Sequence, residues 1–114
     1  GADVDRAVPT GDELLRVMAA LANPHRLRIV AALTEGRAYV SELARRLEMN
    51  RPLLYMHLQR LEAAGLVTGT LVTAPDGSSV KYFDVVPFGW ELSPEAITAA
   101  VRTLGRDDSG KGEQ

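Results

Sequence analysis

A chain of 114 residues with no cysteine has room for one domain with a modest core, and it excludes disulfides and thiolate metal sites. No apolar run approaches the roughly 18 residues of a membrane span. The polar, acidic start has no signal-peptide pattern, so a soluble, cytoplasmic protein is the expectation. The net charge of −2 argues against a broadly basic nucleic-acid binder, but it is unevenly spread: Pro24–Tyr82 holds eight Lys/Arg against five Asp/Glu, and the remainder holds five against ten. Phosphate contacts need local positive charge, not a basic total.

In chain order, residues 1–9 are polar and expected to be flexible. Thr10 and Glu13 form a capping box, and Leu14, Leu15, Met18 and Leu21 follow as a helical stripe to about Ala22. This helix is short and needs a partner surface. Asn23-Pro24 restarts the chain with a cap and an N1 proline. The spacing there predicts Leu27, Val30 and Leu33 facing inward, with His25, Arg26 and Arg28 on the polar side. Those charges fit either a solvated face or phosphate contact.

Two further helices are predicted between Ser41 and Leu66. Ser41 is the expected N-cap of the first, with Leu43 and Leu47 inward. Asn50 caps the second, Pro52 sits in its first turn, and Gly65 ends it as a left-handed C-cap. Only Glu48, Met49 and Asn50 separate them, which makes a helix-turn-helix whose second helix is the candidate reader of a DNA major groove. At about 100° per residue, Leu54, Leu58 and Leu61 share one side of that helix. Tyr55, Met56, Gln59 and Arg60 share the other, flanked by Arg51 and Leu53. The apolar members suit either a second packing surface or thymine methyls read beside hydrogen bonds from Gln59 and Tyr55.

From Leu66 the pattern alternates with β-branched residues to Thr73. Ala74–Ser79 is a turn signal, and Val80–Val86 returns as a second strand. A hairpin in this place is a wing, with Ser78, Ser79 and Lys81 as donors toward the DNA backbone; its tip carries no arginine. Phe88 and Trp90 mark a connector. Ser93-Pro94-Glu95 opens the last helix, where Ile97, Ala100, Val101 and Leu104 make a stripe ended by Gly105. Residues 106–114 are charged and expected to be disordered. The resulting expectation is a mainly α, α+β winged helix-turn-helix of five helices and a two-stranded wing, spanning residues 10–105.

Four stretches carry a family resemblance: Leu21–Val30 (LANPHRLRIV), Val40–Ala44 (VSELA), Asn50–Leu58 (NRPLLYMHL) and Leu61–Val67 (LEAAGLV). In this order and spacing, over roughly residues 12–104, the chain resembles the ArsR/SmtB-type winged-helix transcriptional regulators of bacteria. The resemblance implies a homodimeric repressor on a palindromic operator, released or modulated by an effector. Its dimer helices would be the first and last, here Leu14, Leu15, Met18, Ile97, Ala100, Val101 and Leu104. Its DNA-contacting positions would include Asn50, Arg51, Pro52, Leu53, Tyr55, Met56, Gln59 and Arg60 on the reading helix. Arg26, Ser41, Arg45 and the wing donors are added on the flanks.

The chain departs from that family where metals bind. Tyr39, Val40 and Ser41 stand where the family's Cys-Val-Cys site would be. Glu91 and Glu95 lie four apart at the last helix, with no histidine beside them, and carboxylates alone favour hard cations weakly. His25 and His57, on different helices, read as ungrouped packing or phosphate-contacting residues. No cofactor and no high-affinity transition-metal site within one chain are expected. Weak divalent binding, across a dimer or with Asp3, Asp5, Asp107 and Asp108, stays open. There is no cysteine nucleophile, Gly-rich phosphate loop or His–carboxylate pair at recognisable spacing, and nothing groups the serines and histidines, so no enzyme is expected. Two alternatives remain: a nickel- or zinc-type regulator using His/carboxylate ligands or a metal-sensing partner protein, and a winged-helix protein-interaction module.

Overall fold

The computed structural model describes residues 8–105; the expectations for residues 1–7 and 106–114, their acidic residues included, lie outside the described residues. The elements are α1 (Gly11–Leu21), α2 (Pro24–Leu33), β1 (Ala38–Tyr39), α3 (Val40–Leu47), α4 (Arg51–Ala63), β2 (Val67–Thr73), β3 (Ser79–Val85) and α5 (Pro94–Val101). They fall into two compact units: Ala20–Val86, and the described parts of Gly1–Ala19 and Pro87–Gln114.

The Ala20–Val86 unit closes around Ile29, Leu33, Leu43, Leu54, Leu58, Leu61, Leu66, Val67 and Phe83, all buried. Asn23 caps α2 by accepting from the His25 and Arg26 N–H groups at 2.9 and 3.3 Å. The inner face of α2 is Ile29, Ala32 and Leu33, whereas Leu27, expected inside, is 54% exposed. Leu27 and Ile29 are two positions apart, about 200° around a helix. They cannot both face the core, and the spacing of 29, 32 and 33 decides the choice.

α3 begins two residues earlier than expected. Tyr39, not Ser41, is the N-cap, and its N–H donates to the Glu42 carboxylate at 3.4 Å. Ser41 falls within the first turn and is half-buried. The reason is upstream: β1 runs directly into the helix, so Tyr39 keeps extended backbone and takes the cap position. The turn between α3 and α4 holds Glu48 in the left-handed region, φ 53°, the one positive-φ residue other than glycine among the described residues. There the Met49 N–H reaches the Ala44 carbonyl at 3.0 Å.

Asn50 caps α4 by accepting from the Leu53 N–H at 2.9 Å. The helix ends in a Schellman motif. The Gly65 N–H donates to Glu62 at 3.0 Å and the Leu66 N–H to Leu61 at 2.9 Å, with Gly65 at φ 79°. Buried Leu61 and Leu66 make the apolar pair that accompanies this stop. The chain then enters the wing in the register Val67↔Val85 to Thr73↔Ser79. Its tip is an Asx turn in which Asp76 accepts from the Ser78 N–H at 2.9 Å and the Ser78 hydroxyl at 2.7 Å. Those two bonds, the side chain's first, hold the Asp76 carboxyl below its ordinary range. The expected two-stranded wing gains a third member: β1 pairs with β3, giving the order β1-β3-β2. Two residues are too few to show alternation, so β1 left no sequence signal.

The terminal unit is built on the start of α1 and on α5. Thr10 and Glu13 make both bonds of their capping box, at 2.9 and 3.0 Å. Ser93 caps α5 by accepting from the Ala96 N–H at 3.1 Å. The Gly11 N–H, an unsatisfied helix-start donor by position, donates to the Thr103 hydroxyl at 2.8 Å. The Gly105 N–H returns to the Asp12 carboxylate at 3.2 Å. Gly11 is needed for the close approach, because a Cβ there would stand 2.5 Å from the Ala100 carbonyl oxygen. Ala100 is accordingly buried within the chain, although its position was expected to face a partner. Val17 is buried in α1, while Leu15 and Met18 are exposed along with Ile97, Val101 and Leu104. Leu14 is half-covered. Leu14, Leu15, Ile97, Val101 and Leu104, with Gly11 and Ala100, line an open apolar groove of about 100 Å³.

Candidate nucleic-acid interface

α4 carries two chemically distinct faces. Leu54, Leu58 and Leu61 are buried in the Ala20–Val86 core, as the helical phase predicts. On the other side Arg51, Pro52, Tyr55, Met56, Gln59 and Arg60 are exposed, and Leu53 is half-buried between them. Tyr55 is 45% and Met56 39% exposed. Asn50, also exposed, spends its side chain on the cap. The outer face therefore offers two guanidinium groups, an amide, a phenol and a thioether on one rigid helix, a set suited to phosphates, base edges and methyl groups.

On the flanks, Arg45 is exposed on α3, while its neighbour Arg46 pairs with Glu35 at 3.1 Å. That pair is surface-exposed and adds little stability. Among the described residues, Arg45, Arg51 and Arg60 make no ion pair. The wing donors are partly engaged. The Ser78 hydroxyl bonds Asp76, the Ser79 hydroxyl lies 3.2 Å from that of Thr73, and the Lys81 ammonium sits 5.4 Å from the Phe83 ring centre. Leu71, Val72 and Val80 give the wing an apolar rather than cationic surface. At its base, Arg37 stacks over Tyr82 at 4.2 Å, and Tyr82 meets Tyr39 edge-on.

Arg26 is placed differently from its expected phosphate role. Its Nε donates to His57 Nδ1 at 3.0 Å, and a second guanidinium nitrogen donates to the Ala20 carbonyl at 3.3 Å. His57 is 2% exposed, and its ring lies 5.3 Å from that of His25. The two histidines, ungrouped in the sequence reading, thus form one cluster with Arg26. Among the described residues, His57 Nε2 finds no hydrogen-bond partner. Burial first, then the charges of Arg26, His25 and Arg60, holds the His57 pKa below its ordinary value. Position 57 lies three residues after Leu54 and four before Leu61, so its phase marks it as inward. No sequence signal joins it to Arg26, thirty-one residues away. Among the described residues, no three His, Cys, Asp or Glu side chains gather at metal-binding spacing.

Two helices joined by a tight turn and followed by a β-hairpin define a winged helix-turn-helix protein. A helix-turn-helix domain family matches residues 21–70. An HTH-type transcriptional regulator of Methanocaldococcus jannaschii is 39% identical over 69 residues, covering 60% of this chain and 70% of its own length. The repressor SmtB of Mycobacterium tuberculosis is 47% identical over 57 residues, covering 50% of this chain but only 40% of SmtB. The homodimeric winged helix-turn-helix DNA-binding domain of Mb0332 from Mycobacterium bovis superposes with a TM-score of 0.58 at 26% identity, over 84% of this chain and 80% of that one. The chain belongs to the ArsR/SmtB-type helix-turn-helix transcriptional regulators, which are DNA-binding proteins. Both of these curated relatives are named as transcriptional regulators. No helix among the described residues is long and apolar enough to cross a membrane.

Proposed function

We propose that this chain binds a palindromic operator as a homodimer, represses the promoter it covers, and is released or modulated by an effector in the cytoplasm. The observation that carries the reading is the two-faced α4: one side is locked into a complete core, and the other presents Arg51, Tyr55, Met56, Gln59 and Arg60 to solvent. In this reading Arg51, Arg60 and Arg45 meet phosphates, with Ser41 beside them. Gln59 and Tyr55 bond base edges, and Met56 and Leu53 touch thymine methyls. Ser78, Ser79 and Lys81 bring the wing to the neighbouring backbone. Arg26 is left out, because its guanidinium is already held inside the chain.

The dimer rests on the exposed row Leu15, Met18, Ile97, Val101 and Leu104, an apolar surface that a second copy would cover. The homodimeric M. bovis domain supports it. Two reading helices then address half-sites about 34–36 Å apart. Repression is supported by SmtB, which is named a repressor.

The test uses an operator selected from a pool of random duplexes, with a scrambled duplex as control. Gln59→Ala and Tyr55→Ala are expected to weaken operator binding by about 1–3 kcal/mol and to leave the scrambled duplex nearly unaffected. Equal loss on both duplexes would remove these side chains from sequence reading. By sedimentation, Val101→Asp is expected to yield monomers; a persistent dimer would show that another surface pairs the chains.

A further inference from the structure

The cluster at Arg26 has no part in the proposed contacts, yet it touches the reading helix from behind. His57 sits on the inner face of α4, opposite Tyr55, Met56 and Gln59, and is buried. Its Nδ1 accepts from Arg26 Nε at 3.0 Å, while the same guanidinium holds the Ala20 carbonyl at 3.3 Å. Arg26 comes from the first turn of α2, whose start is pinned by Asn23 and Pro24. One planar group therefore joins three points of the Ala20–Val86 unit: the Ala20 carbonyl, the N-terminal turn of α2, and the middle of α4.

We infer that Arg26 is a positioning residue for DNA reading: by donating to neutral His57 it fixes the pose of α4, and protonation of His57 releases that hold. The inference rests on α4 being the reading helix and names how that helix is held and released. The chemistry follows from the donor inventory. A guanidinium can only donate, so His57 Nδ1 must be the acceptor and the ring proton sits on Nε2. A second proton has only Nδ1 to occupy. There it removes the hydrogen bond and sets imidazolium against guanidinium in a buried site. Among the described residues, no acceptor bonds Nε2 to offset that charge.

The charged groups acting on the ring are Arg26 and His25 from α2 and Arg60 from α4 itself. None of the leading influences comes from α3 or β2, the other elements packed on α4. All disfavour the cation, so its folded pKa lies below the ordinary 6.5. For a histidine with a depressed folded pKa, the stabilising contribution is fully present above the unfolded value. It is lost as pH falls through the folded one. The hold on α4 is therefore complete at neutral pH and fails in acid.

The first arm uses the unaltered protein without DNA. Long-range nitrogen–proton NMR of the imidazoles is expected to show His57 protonated on Nε2 and bare at Nδ1, with a titration midpoint below 6.5. Amide exchange along Arg51–Ala63 should speed up, relative to α3, through that same midpoint. A proton on Nδ1 at neutral pH, or α4 exchange indifferent to the titration, would overturn the inference. The second arm compares Arg26→Gln with Arg28→Gln, which removes an equal charge from an exposed site on the same helix. Arg26→Gln should raise the His57 midpoint and lower operator affinity about tenfold or more, the loss expected for a hydrogen bond to a charged group. Arg28→Gln should leave the midpoint in place. An unmoved midpoint in folded Arg26→Gln would refute the role. Because midpoint and exchange are read without DNA, they separate this inference from the DNA-binding reading. A shifted midpoint in a chain that binds no duplex would sink that reading while leaving the Arg26–His57 hold intact.

Discussion

The Ala20–Val86 unit and the terminal-helix unit solve the same burial problem differently. The first assembles a closed apolar core from α2, α3, α4 and the sheet, with Ile29, Leu43, Leu54 and Leu61 at 0% exposure. The second is organised by hydrogen bonds from Gly11 to Thr103 and from Gly105 to Asp12, and it leaves Leu15, Val101 and Leu104 at 58, 55 and 43%. One unit has built a buried core within the chain, although Leu27 and Leu71 stay exposed on its surface. The other has tied its backbone by hydrogen bonds but leaves more of its described apolar side chains exposed. In the proposed reading, the difference separates a DNA-reading scaffold from a surface suited to assembly.

The sharpest way to break this comparison is to delete equal side chains from both units. Leu58→Ala should lower unfolding stability by about 2–5 kcal/mol in urea, the cost of a buried leucine plus its cavity. Leu15→Ala should change monomer stability by no more than about 0.5 kcal/mol, as exposed substitutions do, while weakening the proposed dimer. Equal losses at the two sites, measured at low protein concentration, would erase the distinction. Next in size, Gly11→Ala should cost about 1–3 kcal/mol by driving a methyl into the Ala100 carbonyl. A neutral outcome would show that the two helices of the terminal unit separate easily. The smallest effect should be a gain. Glu48→Gly relieves a left-handed residue in the turn before α4 and should add about 0.5–1 kcal/mol, seen as a raised urea midpoint. Loss of stability there would mean that the Glu48 side chain contributes more than its backbone costs.

Much of this was legible because local chemistry and global fold agree. The capping pairs Thr10–Glu13, Asn23–Pro24 and Asn50–Pro52 place three helix starts correctly, and Gly65 places one stop. The two faces of α4 follow from helical phase alone. What escaped depends on contacts across long sequence separations. β1 is visible only through Phe83 and Tyr82, its partners on β3. It is also the reason that Tyr39 displaces Ser41 as the cap. Leu27 and Ile29 are equally apolar, so composition could not choose between them. Arg26 looked like a phosphate ligand because sequence shows a charge without its acceptor, and that acceptor lies on another helix. Ala100 belonged to the right stripe but to its covered edge, since Gly11 lets α1 come close enough to bury it.

The central claim, that the outer face of α4 is a DNA-reading surface, is tested most directly by the salt dependence of binding to the selected operator. Fluorescence anisotropy of the intact chain should show log affinity falling linearly with log salt, at a slope near 0.9 per phosphate neutralised. Arg51→Ala should flatten that slope by about one unit for each copy bound. A salt-independent affinity, or a slope unchanged in Arg51→Ala, would contradict the account and turn the Leu53, Tyr55 and Met56 surface toward a protein partner.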